Sequence, residues 1–386
     1  MSAEISEFLR VLTDIANQRI ENKLRAEDEI DRGELILDAW FEYLRDPKSF
    51  APARYARSTR QARRQNQKRA EARLHTQKSI LKRFYGAFHS WELALASSEL
   101  INHQLAKTFW ARMADPRGPE RTSSLLGISE EFGGPALRLL LLTGMQARMI
   151  TISEEVLLLL RNGFHDGAYG RMRTLYELVI KAFFICNNEP TPGSFELAER
   201  YYVTGRMETG VTTLDAVDND ILREARLRWG EDFFRGENNW AAPGIGIPQR
   251  RRITFRDIEE AVEASFLREL YIECNAAVHA GARKIIEEFN PRLRNSYPTR
   301  GRLNKAANAC IGLACAGFLK MGTMEILKRV AIDTEQYDLL LEATAFIEQI
   351  DDSIELFNQI SREVGNIPLL PIDFHEQSSD STTNEP

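Results

Sequence analysis

The amino-acid sequence predicts an all-α protein, a multi-helix bundle core preceded by a charged N-terminal helical hairpin. Apolar residues recur at spacings of three and four along most of the chain, which is the pattern of amphipathic helices. No stretch shows the sustained apolar–polar alternation that is typical of a half-buried strand. Clusters of Pro and Gly interrupt the helical pattern repeatedly, so we expect several helices rather than one. Thr254, for example, is the expected N-cap of a helix over residues 255–266.

Helix-breaking residues divide the 386 residues into three predicted regions. Residues 1–115 form a charged N-terminal helical region, and residues 118–370 form an all-helical core domain. Pro and Gly residues between 116 and 135 mark the linker that precedes the core helices. Residues 371–386 are a polar tail, for which disorder is expected because the segment holds few large apolar side chains.

The N-terminal region contains two blocks of opposite charge. Residues 4–46 carry twelve acidic and six basic side chains, whereas residues 54–83 carry eleven basic side chains and one acid, Glu71. A short connection between Pro47 and Pro52 joins the blocks, which favours antiparallel neighbours. We therefore predict a hairpin, with binding of the basic block to phosphates as the alternative. The apolar seam of this hairpin is expected to combine Phe8, Leu12 and Ile15 with Leu74, Leu81 and Phe84.

Composition predicts a cytoplasmic protein without a membrane span. The formal net charge of −6 is mild and indicates neither a general polyanion binder nor a disordered acidic chain. None of the four cysteines forms a C-x-x-C pair, which favours free thiols in a reducing compartment. The longest apolar runs, residues 139–145 and 306–319, are shorter than the roughly 20 residues that a membrane helix needs.

Sequence motifs that identify common enzymes are missing from the chain. It has no P-loop, no G-x-S-x-G elbow and no H-E-x-x-H zinc motif. The glycine pair in residues 244–248 lacks both a third glycine and a preceding strand, so it does not predict a dinucleotide site. The six histidines have no cysteine partners at metal-ligand spacing. We therefore expect no cofactor and no metal.

Two polar stripes on apolar helices are candidate catalytic groups. Arg173 and Glu177 are four residues apart, so they share one helix face within an apolar segment. Asn275 and His279 share the same spacing on a second helix that is rich in alanine. Since buried polar groups need partners, we predict that the two stripes face each other across a helix–helix contact. Either a structural network or a functional pocket fits this pattern.

Further polar and aromatic residues are candidates for substrate binding. Arg283 continues the second stripe by one more turn, and Arg200 with Tyr202 lies on a separate predicted helix. Trp240 lies in an irregular loop that spans residues 236–252. Histidine titrates closest to neutral pH, so His279 is the natural general acid or base if the site is catalytic.

Three stretches of the chain resemble a widespread bacterial family known only as a domain of unknown function. They are Asn162-Gly163 leading to Arg173-Thr-Leu-Tyr-Glu177, then Asn239-Trp240-Ala-Ala followed by Ile253-Thr-Phe-Arg-Asp-Ile-Glu259, and Tyr271 to His279-Ala-Gly. The resemblance covers about residues 139–320. It implies an all-helical fold in which Arg173, Glu177, Trp240 and His279 form one recurring constellation.

The same family is loosely similar to HEPN helical bundles, many of which are ribonucleases in toxin and phage-defence systems. HEPN nucleases place an Arg and a His on one helix, whereas here Asn275 precedes His279. Two hypotheses follow. The chain is a non-enzymatic helical binding or regulatory protein with a role in bacterial defence or a toxin–antitoxin system. Alternatively, it is a metal-independent ribonuclease with His279 as general acid or base and Arg173 as charge stabiliser.

The expected partners follow from the N-terminal region. Its charged helices are predicted to bind a protein partner or a second copy of the chain, and RNA is a further candidate because of the basic block. No membrane partner is expected.

Overall fold

The computed structural model describes residues 17, 45, 52–114, 134–208, 216–246, 252–278 and 304–365. Within these ranges every regular element is a helix and none is a strand, which confirms the predicted all-α class. Nearly all of the predicted acidic arm of the hairpin, nearly all of the Pro- and Gly-rich linker, and the whole polar tail lie outside the described residues.

The first helix, α1, runs from Pro52 to Ala114 and is 63 residues long. Proline fits the first position of a helix because its backbone has no N–H to leave unsatisfied there. The chain divides into two compact units at His75 and Thr76, so α1 contributes to both. In the second unit, α1 buries one apolar face into the core, which includes Ile80, Trp91 and Phe109.

Four further helices complete the centre of the second unit. They are α2 (Gly134–Arg161), α3 (His165–Asn187), α9 (Lys305–Thr334) and α11 (Thr344–Glu363). Helix α9 packs against α2, α3 and α11. Its sequence is apolar on nearly all sides, and such a helix is stable in water only when its neighbours cover it.

Shorter elements fill the region between α3 and α9. They are α4 (Glu196–Glu208), α5 (Ala216–Trp229), α6 (Ala242–Ile245), α7 (Phe255–Ala261), α8 (Arg268–Val278) and three 3₁₀ turns (Glu231–Arg235, Asn239–Ala241 and Ser265–Leu267). Helix α10 (Asp338–Glu342) connects α9 to α11. The predicted cap of α7 is confirmed, since Thr254 and Asp257 form a reciprocal capping box. The helix ends at Ala261, earlier than the predicted Phe266, and Glu263 adopts a left-handed conformation there.

An aromatic cluster joins α1 to α11. Phe84, Phe88 and Trp91 surround Phe357, with ring centroids 5.8 to 6.1 Å apart. Phe84 is fully buried in this cluster. The sequence pattern assigned Phe84 to the apolar seam of the hairpin, whereas the structure places it in the core. These aromatic residues of α1 belong to the second compact unit, which begins at Thr76.

Helix α9 has the length and hydropathy of a membrane span. However, 78% of its most apolar window is buried inside the fold, which is typical of a central core helix. Among the described residues it is the single helix that meets this test.

The four cysteines are free thiols within the helical core. Burial raises the pKa of the Cys274 thiol to about 12 and that of Cys310 to about 11. Cys186 and Cys315 are also buried, and burial raises the pKa of both thiols. Burial thus favours the protonated, less nucleophilic form of each thiol near neutral pH, and Cys310 is the one of the four that is only half-buried.

Gly312 on α9 provides a sharp test of the packing between α9 and α11. A Cβ atom at this position would overlap the ring of Phe357, so we expect Gly312→Ala to lower the free energy of unfolding by about 1–3 kcal/mol. Gly144 on α2 is the matched control, since a Cβ atom added there would have no other atom within 4 Å. Gly144→Ala should raise the free energy of unfolding by up to about 1 kcal/mol. Urea denaturation measures both, and equal effects would contradict this packing.

Candidate functional site

The predicted stripe on α3 lies in a polar network with α8. Arg173 donates from Nε to Glu177 Oε1 at 2.8 Å, and the Tyr271 hydroxyl donates to the same oxygen at 2.8 Å. An Nη2 hydrogen of Arg173 points to the Tyr271 hydroxyl oxygen over 3.4 Å. The side chains of Arg173 and Glu177 are 28% and 27% exposed, so this part of the network borders solvent.

A second, deeper part of the network connects α3 to α7. Tyr176 donates its hydroxyl to Glu259 Oε1 at 2.5 Å, and Arg268 donates from Nη1 to Glu259 Oε2 at 2.7 Å. Glu259 is only 1% exposed. Each of its carboxylate oxygens accepts one hydrogen bond, and these two bonds compensate for the loss of water around the buried group.

Aromatic rings separate the two parts of the network. Tyr176 and Tyr271 lie 5.6 Å apart between ring centroids, and Phe255 packs against both. The guanidinium carbons of Arg173 and Arg268 each lie 5.4 Å from the centroid of the Tyr271 ring. Two arginines, two carboxylates and two tyrosines thus form one connected group. We call these six residues the tyrosine–carboxylate network: Arg173, Tyr176, Glu177, Glu259, Arg268 and Tyr271.

Both tyrosines of this network stay neutral at physiological pH. Burial raises the pKa of Tyr176, and its hydrogen bond to Glu259 raises it further. Burial likewise raises the pKa of Tyr271, with a second contribution from its bond to Glu177. A neutral phenol donates its proton to a carboxylate, so each tyrosine is suited to orient a glutamate and poorly suited to act as a base.

The predicted partner stripe on α8 is only partly described. Asn275 lies one turn beyond Tyr271, and its buried Oδ1 atom has no hydrogen-bond partner among the described residues. His279 and Arg283 lie outside the described residues. The predicted contact between Glu177 and His279 therefore stays a prediction. On the described part of α8, the residue that binds Arg173 and Glu177 is Tyr271, which the sequence pattern did not single out for this role.

The remaining candidate residues lie in a separate part of the fold. Arg200 on α4 donates to Glu196 at 2.8 Å, and its guanidinium stacks 4.7 Å from the ring centroid of Trp229. Trp240 is 1% exposed and packs edge-on against Phe184. Burial makes Trp240 a packing residue. Residues 239–245 around it are helical, where the sequence suggested an irregular loop over residues 236–252.

Tyr202, the last of these candidates, is half-buried on α4. Its hydroxyl oxygen accepts a hydrogen bond from Arg206 Nε at 3.2 Å, one turn along the same helix. The structure thus brings Arg173 and Glu177 together, and it places Arg200, Tyr202 and Trp240 around α4 and its neighbouring turns.

An ion cluster near the start of α2 escaped the sequence interpretation. Arg138 is 1% exposed and forms a two-pronged bond to Asp333 on α9, at 2.8 and 2.6 Å. Arg329 also reaches Asp333, at 2.9 Å. The one available signal was an arginine next to the apolar run that begins at Leu139, but its partner is almost two hundred residues away.

Glu189 completes this ion cluster from the α3–α4 connection. Its Oε1 lies 3.6 Å from Arg138 Nη1, beyond hydrogen-bond distance, because Arg138 directs its best donors to Asp333. Its Oε2 accepts weak bonds from Ser194 and from the backbone of Leu197. Burial raises the pKa of Glu189 to about 7, since these contacts offset only part of the desolvation of its carboxylate.

Fold and site together define an all-α protein with an internal tyrosine–carboxylate network. Residues 139–292, less than half of the chain, match the model of a family of unknown function, DUF5677. The match contains the whole network and agrees with the resemblance that the sequence motifs indicated. No curated protein and no solved structure matches the chain.

Two arginine substitutions separate the buried from the half-exposed part of the network. Arg268→Met leaves the buried Glu259 carboxylate with Tyr176 alone, so we expect the free energy of unfolding to fall by about 3–5 kcal/mol. Arg173→Met is the matched variant, and it should cost about 1 kcal/mol or less because Glu177 keeps Tyr271 and access to solvent. Urea denaturation measures both values. A larger loss for Arg173→Met would show that the half-exposed pair is the essential one.

Glu189 gives the fold a pH dependence near neutrality. Its folded pKa of about 7 exceeds the ordinary glutamate value, so the stability of the folded state falls as pH rises from about 4.5 to about 7. Glu189→Gln removes this loss and should raise the free energy of unfolding by roughly 1–3 kcal/mol at pH 8, with little gain at pH 4.5. Thermal melting across this pH range measures the effect. The exposed Glu348→Gln is the control, and a similar profile for both variants would refute the assignment.

Proposed function

We propose that this chain is a non-enzymatic helical protein that acts by binding a partner. The proposal rests on one observation, that the polar groups of the tyrosine–carboxylate network form hydrogen bonds with one another. Arg173 and Glu177, the candidates for catalysis, bond to each other, and Tyr271 occupies the same carboxylate oxygen. An arginine neutralised in this way is poorly placed to stabilise the added charge of a phosphoryl transition state, for which an unpaired donor is needed.

The chemistry of the other network residues supports the same proposal. Glu259 is fully enclosed and bound on both oxygens, which fits a link between α3, α7 and α8 rather than a proton carrier. Neutral tyrosines at both carboxylates strengthen the link.

Partner, location and biological setting belong to the proposal as well. A protein partner or a second copy of the chain bound through the N-terminal helices remains a prediction, because most of residues 1–51 lie outside the described residues. A cytoplasmic location fits the four free thiols. A role in bacterial defence or a toxin–antitoxin system rests on the resemblance of the sequence motifs alone.

A cleavage assay tests the proposal against the ribonuclease alternative. We expect the purified chain with chelator, incubated with end-labelled single-stranded RNA, to leave the RNA intact for as long as His279→Ala and Arg173→Met do. The two variants are matched controls for contaminating nuclease, because each removes one group that the alternative needs. Cleavage by the wild-type chain that either substitution abolishes, in protein that is still folded by circular dichroism, would establish the ribonuclease instead.

A further inference from the structure

The N-terminal part of α1 is exposed on all sides. We call residues 56–73 the basic stretch. Within it only Thr59, Gln65 and Ala72 are half-buried and no residue is buried. A helix in a globular protein normally buries an apolar stripe, so a helix that is polar around its whole circumference gains little from its own fold.

Charge in the basic stretch is almost entirely of one sign. It carries seven basic side chains and one acid, Glu71, and all eight are exposed. Arg60, Arg64 and Lys68 follow one another at intervals of four and share one face, where like charges repel by about 0.2–0.5 kcal/mol per pair. Arg63, Arg69 and Arg73 project from other faces.

No described acidic residue relieves this repulsion at the six positions from Arg60 to Arg73. Arg60, Arg63, Arg64, Lys68, Arg69 and Arg73 form no ion pair within the described part of the chain. The one acid, Glu71, accepts a hydrogen bond from Gln67 at 3.2 Å. Among the described residues the helix thus keeps a concentrated positive charge. An external polyanion would compete for this charge with the predicted acidic arm of residues 4–46 and would release its own counterions on binding.

We propose that the basic stretch binds double-stranded DNA by lying in the major groove. This inference rests on the proposed binding function and names the chemistry of the partner. A helix with side chains is about 10–12 Å across, and the B-DNA major groove is about 12 Å wide. Phosphates line both walls of that groove, which matches arginines on several faces of one helix. The deep, narrow major groove of an RNA duplex excludes such a helix.

Amide side chains interleave with the charges of the basic stretch. Gln61, Gln65 and Asn66 project between the arginines, and Gln61 and Asn66 are exposed. Amides of this kind form paired hydrogen bonds with adenine edges in the major groove. The arginines thus supply the affinity for phosphate, and the amides are placed to contact bases once the helix lies in the groove.

Fluorescence anisotropy of the full chain with a labelled DNA duplex tests the proposal. The binding constant should fall steeply as salt rises from about 50 to about 200 mM. The triple variant Arg60→Gln, Arg64→Gln, Lys68→Gln should bind at least about tenfold more weakly, and the slope of log K against log salt should shrink by about 2.7. Arg60→Lys with Arg64→Lys retains the charge and should keep the wild-type slope.

A charge-matched control excludes a simple effect of net charge. Arg223, Arg235 and Arg256 are 73%, 75% and 68% exposed in the other compact unit. Changing all three to Gln removes the same charge and should leave affinity and slope unchanged. An equal loss of affinity in this control, or wild-type binding by the first triple variant, would overturn the proposal.

The same titration with other probes identifies the partner class. Equal or tighter binding of an RNA duplex or single-stranded RNA would overturn the major-groove assignment, as would binding of phosphatidylserine vesicles with no binding of DNA. Failure to bind any DNA duplex refutes this inference and leaves the non-enzymatic function standing. Cleavage of a bound probe, lost in His279→Ala, would refute the non-enzymatic function and leave the DNA contact standing.

Discussion

Burial of helix α9 is the constraint on which the rest of this structure depends. Its 30 residues are apolar on almost every side, so no arrangement that leaves a face of it in water is stable. Helices α2, α3 and α11 cover it. Each of these helices must then bury one face and carry its polar groups elsewhere, and the positions of both polar networks follow from that requirement.

The two networks satisfy their buried carboxylates in different ways. Glu259 has a full set of partners, since one hydroxyl and one guanidinium bind its two oxygens. Glu189 has only weak partners, because Arg138 is committed to Asp333. Burial therefore raises the pKa of Glu189, because its partners offset only part of the desolvation of the carboxylate. Competition for arginine donors, and not depth of burial alone, decides which of the two carboxylates is hydrogen-bonded on both oxygens.

Local sequence was sufficient to predict the helices and several of their ends. Apolar spacing predicted α2, α3 and α9, and the Thr254 cap could be read directly because a capping box involves residues three apart. Site partners were harder to predict. Tyr271 lies 94 residues from Glu177, and nothing in the local pattern distinguishes a tyrosine that bonds to a carboxylate from one that only packs. The Arg138–Asp333 contact spans an even longer separation along the chain. The basic stretch, in contrast, could be read from the order of charges along the chain, although the mild net charge averages over the segregated blocks.

The buried thiols have a consequence for how motions of this protein can be followed. Cys186 and Cys315 are buried on α3 and α9. A thiol that is buried and protonated reacts with an alkylating reagent only when the surrounding helices separate. Modification of the three buried cysteines, Cys186, Cys274 and Cys315, therefore reports the opening of the helices around them. Their order of modification would rank the opening free energies of α3, α8 and α9 without any label being introduced.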